Sequence, residues 1–216
     1  MEGIAIRKYR REDRQSVRDI AWDTAFMGEP ASAFFSDKEI FSDFLTLYFT
    51  DYEPESCFVA ESKGKVVGYL IGSLDEDVLK KVSALNIIPR LVLKAVARCA
   101  FLQKNNMAYL SHCLASFLKG EFRDPVFSMT YPAVLHINID RAFRNSGAGS
   151  MLVSAFVEYA ASNKIKGVHL STMSEKAGDF FKKNCFNLIY SVPRSYFKYI
   201  IGRDITVYVY GKVMAS

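Results

Sequence analysis

An α+β domain, with a mixed central sheet and helices on both of its faces, is the fold this sequence predicts. Three observations predict it. Short β-rich runs alternate with amphipathic helical stretches along the chain. A strand-like run, residues 133–140, leads into the glycine turn Arg144-Asn145-Ser146-Gly147-Ala148-Gly149 and then into an amphipathic helix. Between residues 75 and 130 this rhythm stops and only helical periodicity is found, which marks an insertion in a single domain spanning residues 1–216.

The elements follow in order. Ile4–Tyr9 alternates apolar and polar residues, as a half-buried strand does. Asp13 is placed to cap a helix running to Phe26, with Val17, Ile20, Ala21, Thr24 and Ala25 on one face. Ser36 or Asp37 starts a second helix, Glu39 to about Phe49. Its aromatic side chains suit either core packing or a binding wall. Cys57–Glu61 and Val66–Ser73 read as strands joined by Ser62-Lys63-Gly64-Lys65, a hairpin signal.

In the insertion, Pro89 suits the first turn of a helix carrying Leu91, Val92, Ala95, Val96 and Cys99. A further helix is expected over Ala108–Leu118, ahead of Gly120. After the glycine turn, Leu152, Val153, Phe156 and Tyr159 mark the inner face of a helix. Strand Gly167–Thr172, helix Glu175–Asn184 and the runs Leu188–Val192, Tyr196–Ile201 and Ile205–Val213 complete the chain.

Half of the residues are apolar and 24% are charged, a balance that excludes a disordered chain. The four cysteines (Cys57, Cys99, Cys113, Cys185) are scattered without metal-ligand spacing, so neither a metal site nor a disulfide framework is expected. Met1–Ile4 runs straight into a strand-like segment with no leader pattern, and a cytoplasmic setting is expected. Charge is uneven. Val78–Gly120 holds seven basic residues (Lys80, Lys81, Arg90, Lys94, Arg98, Lys104, Lys119) and no acid. Set against the net +5, those seven leave −2 for the rest of the chain. Arg90, Lys94 and Arg98 interrupt the apolar run there, which excludes a membrane span.

The glycine turn is the most informative segment. Gly147 and Gly149 leave the backbone bare, so that successive N–H groups can converge on one anion, and the helix N-terminus adds unpaired donors and its dipole. The turn lacks the third glycine of a dinucleotide fingerprint and the Lys-Ser or Lys-Thr pair of a P-loop. What remains is R-x-x-G-x-G, open to an anion site or to a plain strand-to-helix turn.

Arg144, Gly147 and Gly149 match [RQ]-x-x-G-x-[GA], and in this setting the chain resembles the GCN5-related N-acetyltransferase (GNAT) family. Leu135–Ile139 resembles the family's splayed central strand, with Phe143 where an aromatic residue is common. Ser174-x-x-Ala177-x-x-Phe180-Phe181-x-x-x-Cys185-Phe186 resembles the family helix N-x-x-A-x-x-[FL]-Y-x-x-x-G-F. The resemblance covers the chain outside residues 75–130. It implies an α/β/α-layered, mostly antiparallel sheet with the helical insertion between its third and fourth strands.

The resemblance also implies the chemistry. The donor is acetyl-CoA or another acyl-CoA, with no metal, and the acceptor is a small-molecule or peptide amine. The pyrophosphate is expected on the N–H groups of Asn145, Ser146, Gly147, Ala148, Gly149 and Ser150, with Arg144 adding charge or pinning the loop. The pantetheine arm is expected against the backbone of Ile137 and Ile139. Ser174 and Phe181 fall at cofactor-contacting positions, but here the chain departs from the family. The tyrosine that often protonates the leaving thiolate is Phe181, the asparagine is Ser174 and the glycine is Cys185. Tyr190, Tyr196, Tyr199 or water is left to serve, or the protein binds acyl-CoA without catalysis.

His136, Asn138 and Asp140 share one face of the central strand by its period of two. His136 is the candidate general base, since an unperturbed imidazole titrates at about 6.5. Asn138 stands beside it as the second candidate catalytic residue, and His169 is an alternative base. The bland reading makes both histidines hydrogen-bonded core or edge residues. For the basic insertion four uses are open beyond a plain solvated cover: an acceptor lid, a homodimer surface, anionic-membrane contact, or nucleic-acid contact. Nucleic acid is not expected, because no stacking array or reading motif accompanies the charge. Besides an acyl-CoA-dependent N-acetyltransferase, the competing functions are a non-catalytic acyl-CoA-binding protein and a membrane-surface or scaffolding protein acting through the insertion.

Overall fold

The computed structural model describes residues 3–214. Seven strands form one sheet in the order β1-β2-β3-β4-β5-β7-β6. They are β1 (Ala5–Lys8), β2 (Phe58–Ser62), β3 (Lys65–Ser73), β4 (Ala133–Ile139), β5 (Gly167–Thr172), β6 (Asn187–Arg194) and β7 (Ile205–Val213). All neighbours are antiparallel except β4 and β5. The hairpin between β2 and β3 turns on Lys63 (φ 50°) and Gly64 (φ 74°), the paired positive angles that match the twist of its strands.

Helices α1 (Arg14–Thr24) and α2 (Lys38–Asp51) cover one face, over Val59, Tyr69 and Ile71. Helices α6 (Ala148–Ser162) and α7 (Glu175–Lys183) cover the other, over Phe58, Leu70, Leu135, Val168 and Leu170. Phe156 of α6 is fully buried and fits because Gly72 has no side chain: a Cβ there would lie 2.3 Å from the Phe156 ring. Gly72→Ala is expected to destabilise the fold by about 1–3 kcal/mol, the range for overpacking a core. Urea unfolding measures it, and unchanged stability would show that the Phe156 packing yields freely.

Between β3 and β4 lie α3 (Glu76–Val82), a single π-helical stretch (Ser83–Ile87), α4 (Ile88–Ala97) and α5 (Lys104–Leu118). Much of the basic character of this insertion is used in holding it down. Lys94 reaches Asp43 at 2.7 Å, and Arg98 reaches Asp37 at 2.7 Å. Asp43 also pairs with the buried Arg18 of α1, so one carboxylate ties α1, α2 and α4 together.

Several boundaries differ from expectation, among them the start of α5 at Lys104 rather than Ala108 and the end of α4 at Ala97, before Cys99. Asp13 gives no capping bond to α1, because its carboxylate is taken by the Arg7 guanidinium (2.7 Å) and the Arg10 N–H (2.8 Å). Helix α1 stops at Thr24 rather than Phe26, where Met27 and Gly28 enter the left-handed region. Of the two proposed starts for α2, Asp37 is the cap, accepting from the Ile40 N–H at 3.1 Å. The run 196–201 forms a short helix, α8 (Lys198–Ile201), ended by Gly202 at φ 79°.

Candidate active site

The site begins where β4 and β5 part. Their parallel pairing is confined to Ala133–Val168 and Val134–His169. Past that vertex β4 continues for five residues, paired on its other edge with β3 as far as Ile139–Gly68. The Asp140 N–H donates to the Val67 carbonyl at 2.9 Å, so strand alternation turns the polar backbone of Asn138 and His136 toward β3 as well. The N–H and C=O groups of Leu135, Ile137 and Ile139 therefore face the gap. A strand edge of this kind accepts an extended, amide-bearing ligand as an added strand.

At the open end of the gap the chain turns sharply. The Asp140 carboxylate lies outside β4 and accepts from the Ala142 N–H at 2.8 Å, so it leaves the polar row expected of it. Asn145 (φ 63°) and Gly147 (φ 88°) both adopt the left-handed region, and α6 begins at Ala148. Gly147 has open space around its missing side chain, so it is glycine for its backbone angle. The first-turn N–H groups of α6, Gly149 and Ser150 among them, have no helical acceptor. Gly149 serves closeness instead: a Cβ would stand 3.1 Å from the Phe180 ring of α7.

Arg144 pins the loop. Its Nη2 donates to the Gly28 carbonyl at 3.0 Å, where Arg141 also donates at 3.1 Å. The turn after α1 is thus clamped against the glycine turn. Ser174 caps α7 at the end of β5, its hydroxyl accepting from the Ala177 N–H at 3.4 Å. Phe181 is buried in the α6–α7 core, edge-on to Phe180 at 5.0 Å and beside Tyr210 at 5.9 Å.

On the opposite face, beneath α1, the Asn138 amide donates to the Tyr69 hydroxyl at 2.8 Å and lies 3.0 Å from His136 Nε2. His136 is ringed by protein yet still touched by solvent, and burial pushes its pKa down to about 4. The imidazole is therefore neutral at physiological pH. Burial also raises the Tyr69 phenol and keeps it protonated. Tyr69 is the member of this group that sequence reasoning missed. Its signal was available, since Tyr69 pairs directly with Asn138 across β3 and β4.

His169 stands apart from the gap. Its Nδ1 lies 2.9 Å from the Tyr131 carbonyl and its Nε2 3.4 Å from Glu76, so both ring nitrogens are engaged in a structural contact. Of the three tyrosines offered as proton donors, Tyr190 packs near Phe127 and Tyr199 stacks on His112 of α5. The Tyr196 hydroxyl instead lies 3.4 Å from the sulfur of Met173, which directly follows β5. Burial pushes the Tyr196 phenol up to about 12.

Comparison with known proteins places this geometry. The family model for the acetyltransferase (GNAT) family matches residues 14–185. The chain belongs to the GNAT family. Among solved structures, this GNAT domain is similar to SsHAT, at 24% identity and a TM-score of 0.65, over 99% of this chain and 100% of that one. It is similar to the Drosophila melanogaster polyamine N-acetyltransferase, at 14% identity and a TM-score of 0.60, over 98% and 100% of the two chains. It is also similar to yncA from Salmonella typhimurium, solved with its cofactor acetyl-CoA, at 12% identity and a TM-score of 0.56, over 99% and 95%. No curated protein sequence matches the chain significantly.

The residues present fit the family's acyl donor. An unpaired strand edge at Ile137 and Ile139 suits an amide-bearing arm, and the first-turn donors of α6 at Gly149 and Ser150 suit a pyrophosphate. Among the described residues no helix is long and apolar enough to cross a membrane, and no cluster of His, Cys, Asp or Glu is arranged to hold a metal.

Proposed function

We propose that this GNAT domain is an acyl-CoA-dependent N-acetyltransferase that moves an acetyl group directly onto a primary amine. The observation that carries the proposal is the open edge of β4 beyond its short pairing with β5. The bare edge of β4 at Ile137 and Ile139 is followed in the chain by the turn Asn145–Ser150 and the first-turn donors of α6, with His136 and Asn138 on the same strand. Acetyl-CoA, when bound, supplies an activated thioester. Ile137 and Ile139 offer it backbone hydrogen bonds, and the glycine turn, with Phe180 of α7 packed against Gly149, offers it N–H donors.

The remaining work is proton handling at His136. With a pKa near 4 it cannot hold a proton taken from a free ammonium of pKa about 10, so the acceptor must arrive as the neutral amine. The single lone pair of neutral His136 Nε2 accepts from the Asn138 amide in the free protein, and it serves an amine N–H, as the acidity of that N–H rises during transfer, once the Asn138 bond is exchanged for it. Tyr69 holds Asn138, and hence His136, in place. For the proton on the thiolate side we take Tyr196 as the candidate in place of the missing tyrosine, since burial keeps it protonated and its hydroxyl lies beside Met173, directly after β5.

The second reading, an acyl-CoA-binding protein without catalysis, is favoured by one observation: Phe181 is sealed in the core and offers no proton. A thiol-release assay with acetyl-CoA over a panel of primary amines separates the two. Thiol release that depends on an amine supports the transferase. Binding of acetyl-CoA with no release over the panel supports the second reading, and absence of binding defeats both.

A further inference from the structure

Helix α5 is built inside out. Its fully buried positions are polar: Asn106, whose amide donates to the Ala100 carbonyl at 2.9 Å and accepts from the Ser36 N–H at 2.7 Å, and Ser116, 3.2 Å from the Ser195 hydroxyl. These bonds at both ends of α5 fix its rotation. The stripe turned to solvent is Met107, Leu110, Leu114 and Phe117, at the three-and-four spacing of one helical face, with Leu118 beside it. Leu114 is 59% exposed and Phe117 64%. Helix α4 buries apolar residues but also leaves apolar ones exposed. Leu91 and Ala95 face inward while Val92, Leu93 and Val96 face out, Leu93 at 70% exposure. Apolar side chains set out this regularly on two helices mark a surface that is covered in use.

The charge on the same segment identifies the cover. Val78–Gly120 contains no acid, and while Lys94 and Arg98 are paired to α2, Lys81 and Lys104 make no ion pair among the described residues. Among the described residues Arg90 bonds the Tyr52 hydroxyl, and Lys119, 60% exposed at the far end of α5, reaches the Ser195 hydroxyl at 3.0 Å and Glu121 at 3.8 Å. Lys104 and Lys119 therefore bracket the apolar stripe, about 22 Å apart at 1.5 Å per residue. In an antiparallel twofold contact along the stripe a second copy would set Lys104 of one against Lys119 of the other, cation against cation. A bilayer with anionic headgroups accepts both parts, taking up the apolar stripe while the lysines stay at the phosphate level.

We propose that the outer face of α4 and α5 docks the protein on an anionic lipid surface. Docking lies in the insertion and does not depend on acyl transfer. The test is co-sedimentation of the full chain with phosphatidylcholine vesicles, with and without phosphatidylglycerol. The native chain is expected to bind only the anionic vesicles. The charge reversal Lys81→Glu with Lys104→Glu is expected to weaken that binding by about tenfold or more. Leu114→Gln with Phe117→Gln is expected to abolish it. All four residues are on the surface, and an unchanged circular dichroism spectrum shows that the variants fold. Failure of the native chain to bind anionic vesicles overturns the proposal, as does binding that neither double variant alters. A dimer seen by light scattering that Leu114→Gln with Phe117→Gln dissociates, without vesicle binding, assigns the face to a second copy instead.

Discussion

His136→Ala is expected to lower kcat by about a hundredfold or more, the lower end of what a positioned proton acceptor contributes, while acetyl-CoA affinity is unchanged. The separation follows from the geometry. The cofactor is expected on the backbone of Ile137 and Ile139, whereas the His136 ring sits with Asn138 and Tyr69 under α1. Steady-state kinetics with calorimetric binding would show it, and turnover retained in the variant would remove His136 from the mechanism. The pH dependence is a second reading of the same group. Because burial holds His136 at about 4, the rate of the native enzyme should pass through pH 6.5 without a histidine inflection and rise as the acceptor amine loses its proton.

Stability carries the same signature with a defined sign. The folded pKa of His136 lies below the unfolded value, so on acidification the unfolded chain takes up the proton first. Stability from this group is whole above about pH 6.5 and is lost as pH falls toward 4. The shift bounds the loss at about 3 kcal/mol, and solvent contact with the ring brings it below that bound. The stability difference between native protein and His136→Ala should narrow across this window.

Much of the fold was legible because the relevant signals are local. The alternation at Ile205–Val213, the positive-φ pair Lys63-Gly64 and the inward face Leu152, Val153 and Phe156 each reflect forces between near neighbours. The gap was legible only in part. The glycine pattern marks Gly147 through a backbone angle, and the angle is the one observed. The length of the β4–β5 pairing, by contrast, is set by both strands and the helices on them, so no residue in either strand encodes it alone.

The capping roles divide in the same way. Asp37 caps α2 as a short-range rule predicts, whereas Asp13 does not cap α1, because Arg7 reaches it from β1. Arg144 was left between two roles, and its partner, the Gly28 carbonyl, lies 116 positions away in the chain. The inside-out character of α5 was also hidden. Periodicity gives a helix with an apolar stripe but not the direction in which the stripe points. Here the bonds of Asn106 and Ser116 to distant groups decide it.

The central claim is that the glycine turn and the open edge of β4 hold an acyl-CoA, and Gly147→Asp tests it most directly. Gly147 is exposed with open space around it, so the new side chain meets no clash and costs only the strain of φ 88°. A carboxylate at a helix N-terminus is itself favourable for the free fold, so the variant should remain folded. It would, however, occupy the donors intended for the pyrophosphate and repel its charge. Titration calorimetry with acetyl-CoA is expected to show a Kd weakened by about tenfold or more, the effect of some 1–2 kcal/mol of like-charge repulsion at the helix N-terminus. Gly147→Ala, which carries the strain in the free and the bound protein alike, should lose about 1–2 kcal/mol of stability and bind acetyl-CoA nearly as the native chain does. Acetyl-CoA binding as tightly to Gly147→Asp as to the native chain would contradict the account.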